Sequence, residues 1–334
     1  MGLFRNAFSC LEKKGGLSVK LLLQLFSLCF FIIFATPLIG NKENIAKVNG
    51  LNIWFETFGN PEDPAFLLIM GGGCQGVLWP IEFCEKLVKE GFYVIRYDHR
   101  DAGLSTYINF AENPYDLMDI TKDAVELLNV LNIEKVHLFG ISMGGLVAEI
   151  MAVYFPEKVH SIAIMGSTPD VRPMNLAIKG ESPEEGALSS PVSDYRSWRG
   201  RIPQKPYDQD EEFLEHRINI WRRMSGSVPF DRDFYRSLHR QCLARLKNTD
   251  SLANHYLASA RSEDLVKAVP YQIQVPTLIL QGSEDPVFRP DHGEALFKSI
   301  KGSKYLLVEG MGHVPNVYFD DFLIEQIKLH SNSK

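Results

Sequence analysis

Apolar and polar positions along the chain fall into a repeating order. Residues 45–48 and 51–58 are strand-like runs on either side of Asn49-Gly50, a dipeptide that suits a tight turn with positive φ, so they predict a hairpin. Residues 65–70 form a short continuous apolar run, as expected of a strand buried on both faces. A helical stretch at 81–89 and a strand at 92–97 follow. The segment 119–131 places apolar residues at Ile120, Ala124, Leu127, Leu128 and Leu131, which is helical spacing. Residues 136–139 then predict a strand, 144–154 a helix and 160–165 another strand. Strand and helix in alternation imply a mostly parallel central sheet with helices on both faces, an α/β fold. From 167 to 269 no strand-like run occurs; loops rich in Pro and Gly (169–186, 190–191, 200–206) separate helical patches at 211–224, 231–246 and 251–259. The sheet pattern resumes at 276–281 and 305–308, and a helix near 320–329 closes the chain. The middle section therefore reads as a helical cap inserted into the α/β domain.

One segment stands outside this order. Residues 21–40, LLLQLFSLCFFIIFATPLIG, carry no charge and are preceded by Arg5, Lys13, Lys14 and Lys20 with Glu12 as the sole acid. A basic region before an uncharged apolar stretch is a membrane-targeting signal. Its length fits both a signal peptide and a membrane anchor. An uncharged run this long is rare in soluble cores. The lysines and arginine before it predict that the remainder lies on the non-cytoplasmic side, exported or membrane-anchored, with membrane association through 21–40. Residues 1–40 are thus a leader, and 41–334 the folded domain, with its cap at about 167–269.

Composition narrows the function classes. The 334 residues are 45% hydrophobic and 23% charged, a folding composition. The net charge of −6 divides into +3 on residues 1–40 and −9 on the rest. An acidic domain argues against nucleic acid as a partner. The cysteines are Cys10, Cys29, Cys74, Cys84 and Cys242, with no CxxC pair and no Cys/His cluster at zinc spacing, so neither a disulfide framework nor a metal site is expected.

Candidate chemistry begins at Gly140-Ile141-Ser142-Met143-Gly144-Gly145, between an apolar strand and a helix. This is a G-x-S-x-G nucleophile elbow in the setting that it requires, with Ser142 on a sharp strand-to-helix turn. A serine hydroxyl is a weak nucleophile and needs a base oriented by an acid. The expected chain order is Ser, acid, His, each after a strand. Asp285 follows the run 276–281 and His313 follows 305–308, so Ser142, Asp285 and His313 are the candidate triad. Glu284 is the rival acid. His137 reads as a sheet residue, and His99 as part of a turn. His216, His239, His255 and His292 lack partners at metal spacing.

An acyl-transfer oxyanion needs two backbone N–H donors, one from the residue after the nucleophile and one from the loop after an early strand. Met143 supplies the first. Gly71-Gly72-Gly73, directly after the run 65–70, supplies the second, assigned to Gly72. The same glycines could cradle a phosphate, but neither a GK[ST] ending nor a G-x-G-x-x-G pattern is present.

These motifs, together with 59–64 (GNPEDP), Leu78-Trp79-Pro80, 94–105 (VIRYDHRDAGLS), 226–230 (GSVPF), 282–286 and 310–313, make the chain resemble the α/β-hydrolases, and within them the aclacinomycin methylesterase group, over about residues 45–330. Asp101 stands where the wider superfamily usually has Gly after the Arg. The resemblance implies an α/β-hydrolase fold, a Ser142–Asp285–His313 triad and no metal or organic cofactor. It implies hydrolysis of a small-molecule carboxylic ester, with methyl esters among the candidates. A lipase, lysophospholipase or thioesterase acting on acyl lipids is the alternative enzyme, and an α/β-hydrolase-type ligand receptor the alternative outside catalysis. Trp79, Trp198, Trp221 and Phe230 are candidate walls of a substrate pocket.

Overall fold

A computed structural model describes residues 42–198, 202–249, 251 and 253–332. Residues 1–40, where the sequence predicts a leader with its apolar stretch 21–40, lie outside the described residues. Among the described residues no helix is long and apolar enough to cross a membrane.

The domain is built on an eight-stranded sheet in the order β1-β2-β4-β3-β5-β6-β7-β8. Its strands are β1 (Lys42–Val48), β2 (Leu51–Phe58), β3 (Ala65–Ile69), β4 (Tyr93–Tyr97), β5 (Val136–Ile141), β6 (Val159–Met165), β7 (Thr277–Gly282) and β8 (Lys304–Val308). β1 and β2 form the hairpin, with Val48 opposite Leu51 across Asn49 and Gly50, both at positive φ. β2 meets β4 antiparallel, and the pairs from β4 to β8 are parallel.

Alternation along the strands divides the core. Leu67, Ile69, Ile95, Leu138, Ile162 and Ile164 point to one face, where they pack with α2 (Leu117–Val130), α3 (Met143–Tyr154) and α9 (Pro290–Ser299). Phe66, Leu68, Val94, Phe139, Ala163 and Met165 point to the other, against α1 (Ile81–Lys89) and α10 (Asp320–Ser331). Period-two alternation on strands covered on both sides accounts for the continuous apolar runs. α2 starts at a reciprocal capping box between Asp116 and Asp119.

Between β6 and β7 the described chain is helical: α4 (Arg172–Lys179), a single turn at Tyr195–Trp198, α5 (Glu211–Met224), α6 (Arg232–Ala244), α7 (Asn254–Ala260) and α8 (Glu263–Ala268). Asp210 and Asp231 cap α5 and α6 by accepting the amides of Phe213 and Phe234. Three helices differ from the sequence reading: α4 lies in the stretch 169–186 that reads as loop, and α8 and α9 fall where the pattern predicts no helix. α4 and α9 carry proline in the first turn, where no intrahelical donor is lost.

β3 pairs with both β4 and β5, so the connections leave it in opposite directions. The crevice at the carboxyl ends of such strands is where open α/β sheets bind ligands.

Candidate active site

Ser142 stands at the end of β5 with φ 55° and ψ −122°, a conformation that L-residues rarely adopt. The surrounding backbone holds it there. Its N–H donates to the Met165 carbonyl at 3.0 Å, and its carbonyl accepts from Gly145 at 2.9 Å. Close approach explains the flanking glycines. A Cβ on Gly140 would lie 2.1 Å from the Gly144 oxygen, and one on Gly144 would lie 2.2 Å from the Ile69 oxygen. The motif is thus a packing requirement between β3, β5 and α3 as much as a turn.

Asp285 follows β7 and His313 follows β8. Their side chains meet at 2.8 Å between His313 Nδ1 and Asp285 Oδ2, and both are buried. The other carboxylate oxygen, Oδ1, accepts the amides of Val287 and Phe288 at 2.7 and 2.9 Å, which fixes its plane. Glu284 instead accepts from the Ser227 hydroxyl at the surface. His313 is held through its backbone by the cap: the Met224 carbonyl, at the end of α5, accepts its N–H at 2.6 Å. The segments at 224–226 and 310–312 cross so closely that a Cβ on Gly226 would lie 2.1 Å from the Gly310 oxygen and one on Gly312 2.1 Å from the Met224 oxygen.

The glycine loop after β3 closes over Ser142 and α3. A Cβ on Gly71 would lie 3.2 Å from that of Ser142, and one on Gly72 would lie 3.7 Å from that of Met143. The Gly73 N–H is committed elsewhere: it donates to His255 Nδ1 at 2.8 Å. Gly71 and Gly72 remain as the loop amides beside Met143, whose own N–H sits at the positive end of α3. Behind the loop, His99 Nε2 donates to the Met70 carbonyl at 3.0 Å, and burial pulls His99 down to about 3, so the ring stays neutral. Asp98 accepts the Gly76 amide and pairs with Arg245 at 2.6 Å, linking the loop to the end of α6.

Ser142, His313, Gly72 and Met143 line one cavity of about 240 Å³ between sheet and cap, walled largely by apolar side chains such as Leu146, Val171, Phe213 and Phe288. Of the aromatic residues expected at the pocket, Trp221 lines it. Trp79 does not: it is fully buried in the core between Phe83 and Phe139. Phe230 does not either, because it stacks on Tyr235 at 4.6 Å outside the cavity. The side chain of Trp198 lies outside the described residues. His216, Arg217, His239 and His255 are cavity residues that sequence pattern gave no reason to select. Asp101 takes φ 64°, which accounts for Gly being usual there; its carboxylate accepts from Tyr115, Ile108 and Asn254, fastening the left-handed turn. Among the described residues no group of His, Cys, Asp and Glu is arranged to hold a metal.

Comparison with known proteins agrees with this architecture. Residues 64–320 match the α/β-hydrolase fold family. The chain belongs to that family. It is 31% identical over 292 residues to a rhodomycin D methylesterase of Streptomyces peucetius, covering 85% of this chain and 96% of that protein. A 3-oxoadipate enol-lactonase of Acinetobacter baylyi is 25% identical, with 82% of this chain and 90% of that protein covered. Among solved structures, an esterase from Exiguobacterium antarcticum superposes with a TM-score of 0.67 at 19% identity, covering 87% of this chain and all of the other. The kinship of this α/β-hydrolase is with enzymes that open carboxylic esters.

Proposed function

We propose that the protein is a serine esterase that cleaves a small carboxylic ester, a methyl ester foremost, through an acyl-enzyme. The observation that carries this reading is the convergence on one cavity of Ser142 on its strained elbow, His313 held by Asp285, and Gly72 and Met143. Asp285 binds Nδ1 of His313 and so leaves Nε2 to take the Ser142 proton as the hydroxyl attacks the ester carbonyl. The amides of Gly72 and Met143 receive the developing oxyanion, and α3 adds its dipole. His313 then returns the proton to the departing alkoxide. Water enters, gives its proton to His313 and releases the acid, and the proton passes back to Ser142. The 31% identity with a methylesterase over most of both chains supports a methyl ester above an acyl lipid.

We further propose that residues 1–40 direct the chain to a membrane, with the catalytic domain on the non-cytoplasmic side, because a basic region precedes the uncharged run 21–40. The mass of the mature amino terminus decides between cleavage and retention of this leader. For the chemistry, the full-length chain is expected to hydrolyse short p-nitrophenyl and methyl esters, and Ser142→Ala to abolish turnover. Equal turnover by the two proteins overturns the reading, and saturable ligand binding without turnover favours a receptor.

A further inference from the structure

The cavity wall contributed by the cap is the face of α5 that carries Phe213, Arg217, Ile220, Trp221 and Met224. These positions recur at helical spacing, so Arg217 sits within the apolar stripe turned toward the cavity and not on the solvent face. Among the described residues lining the cavity Arg217 is the one side chain of fixed charge, and no Asp or Glu lines it. Its neighbours on the cap have all found acids or carbonyls. Arg232 and Arg236 pair with Glu215, Arg240 pairs with Glu211, Arg223 with Asp194, and Arg222 donates to the Gly226 carbonyl. Arg217 is partly buried and makes no hydrogen bond or ion pair with a described residue.

Two further polar groups share that wall. Trp221, one turn along α5 from Arg217, and His239 of α6 both line the cavity and meet edge to face at 5.0 Å. Trp221 Nε1 and His239 Nε2 are both buried without a hydrogen-bond partner. Buried polar atoms without a partner are costly, and a partly buried guanidinium with no acid beside it is more so. An acceptor group brought by the ligand gives Arg217 the partner that the protein does not, and a carboxylate matches the planar fork of arginine.

We propose that Arg217, with Trp221 and His239 beside it, binds a carboxylate on the acid portion of the substrate, so that the preferred substrates are esters of dicarboxylic type: one end esterified at Ser142, the other a free anion at the cap. The proposal rests on the esterase reading for the bond that is cleaved, and on the cap wall alone for the anion.

The test uses the full-length chain carrying Ser142→Ala, which binds without turnover. Half-methyl esters of the dicarboxylic acids from succinate to suberate are titrated calorimetrically against the dimethyl esters of the same acids. The expected result is that one chain length of half-ester binds about tenfold or more tightly than its dimethyl partner, as a charged hydrogen bond supplies. Adding Arg217→Gln is expected to erase that ratio, and Arg217→Lys, which keeps charge but not the fork, to retain part of it. Equal affinity of half-ester and diester at every length overturns the proposal, as does a ratio that survives Arg217→Gln. Should the glutamine variant not fold, the matched pairs on the Ser142→Ala chain and on Arg217→Lys still decide. Methanol release by the wild-type chain is followed separately. Its absence overturns the esterase reading while the measured anion preference stands on its own.

Discussion

His255 Nδ1 accepts the Gly73 amide at 2.8 Å although 182 residues separate them, and the opposite ring nitrogen, Nε2, donates to the Arg100 carbonyl at 2.7 Å. Both nitrogens are committed, so the ring must be the neutral Nε2–H tautomer. Burial agrees, holding His255 below the ordinary 6.5. The ring braces the oxyanion loop from the cap, at the residue after the proposed donor Gly72. His255→Gln is expected to lower kcat by about tenfold or more, with a smaller effect on KM, because loop preorganisation matters most when charge develops on the oxyanion; complete loss of one donor costs about 10²–10³. The folded-state value is depressed, so the brace contributes fully above 6.5 and is lost as pH falls through the lower folded value. Steady-state kinetics of wild type and variant across acidic pH check both points. A variant that changes KM alone contradicts the role.

Asp285 and Glu284 are adjacent carboxylates with different tasks. Asp285 accepts two backbone amides on Oδ1 and His313 on Oδ2, whereas Glu284 accepts from an exposed serine. Asp285→Asn is expected to reduce kcat by about 10⁴, because an amide in that place favours the wrong imidazole tautomer. Glu284→Gln should leave kcat within about twofold, since a surface hydrogen bond is worth little to the site. Parallel kinetics on one ester decide the assignment. Comparable losses in the two variants would sink it.

Most of the sheet and the order of the proposed triad were legible in the sequence, for local reasons. Continuous apolar runs such as 65–70 mark strands covered on both faces, and Gly140 and Gly144 mark a turn whose backbone contacts leave no room for a side chain on either side of Ser142. α4 is not legible because the Pro and Gly of 169–186 read as loop, whereas Pro173 in its first turn and left-handed Gly180 at its end are a helix's start and stop signals. Trp79 and Trp221 look alike in sequence. One packs between Phe83 and Phe139, the other faces the cavity, and tertiary packing alone separates them. His255 and His239, which in sequence only lack metal partners, and Arg217 show no site role for a related reason: they stand on cap helices whose inward face depends on how the cap seats on the sheet.

Gly166 offers a steric test of the Asp285–His313 pair. It has φ 52°, and a Cβ there would lie 2.9 Å from Asp285 Oδ2 and 3.0 Å from His313 Nδ1. Gly91 has φ 88° with open space around it. Alanine at either site pays the left-handed penalty of about 1–2 kcal/mol. Only Gly166→Ala is expected to wedge the pair apart, lowering kcat by about 10² or more beyond that shared loss. Urea midpoints and kcat for both variants separate strain from displacement. Equal kcat in the two would show that the pair yields without consequence.

Glu149 of α3 is buried to 1% exposure beneath the elbow, where the Ser167 hydroxyl donates to it at 3.3 Å. Burial pushes its carboxyl well above the ordinary 4.5. The sign follows from linkage: the folded state keeps a proton that the unfolded chain releases, so the contribution to stability is full below 4.5 and declines as pH rises toward the folded value. Glu149→Gln copies the protonated shape and cannot ionise. The variant is therefore expected to match wild type near pH 4.5 and to exceed it by a margin that widens as pH rises toward the folded value. Thermal or urea unfolding of both proteins across this range measures the gap. A gap independent of pH would mean that Glu149 does not carry its proton in the folded chain.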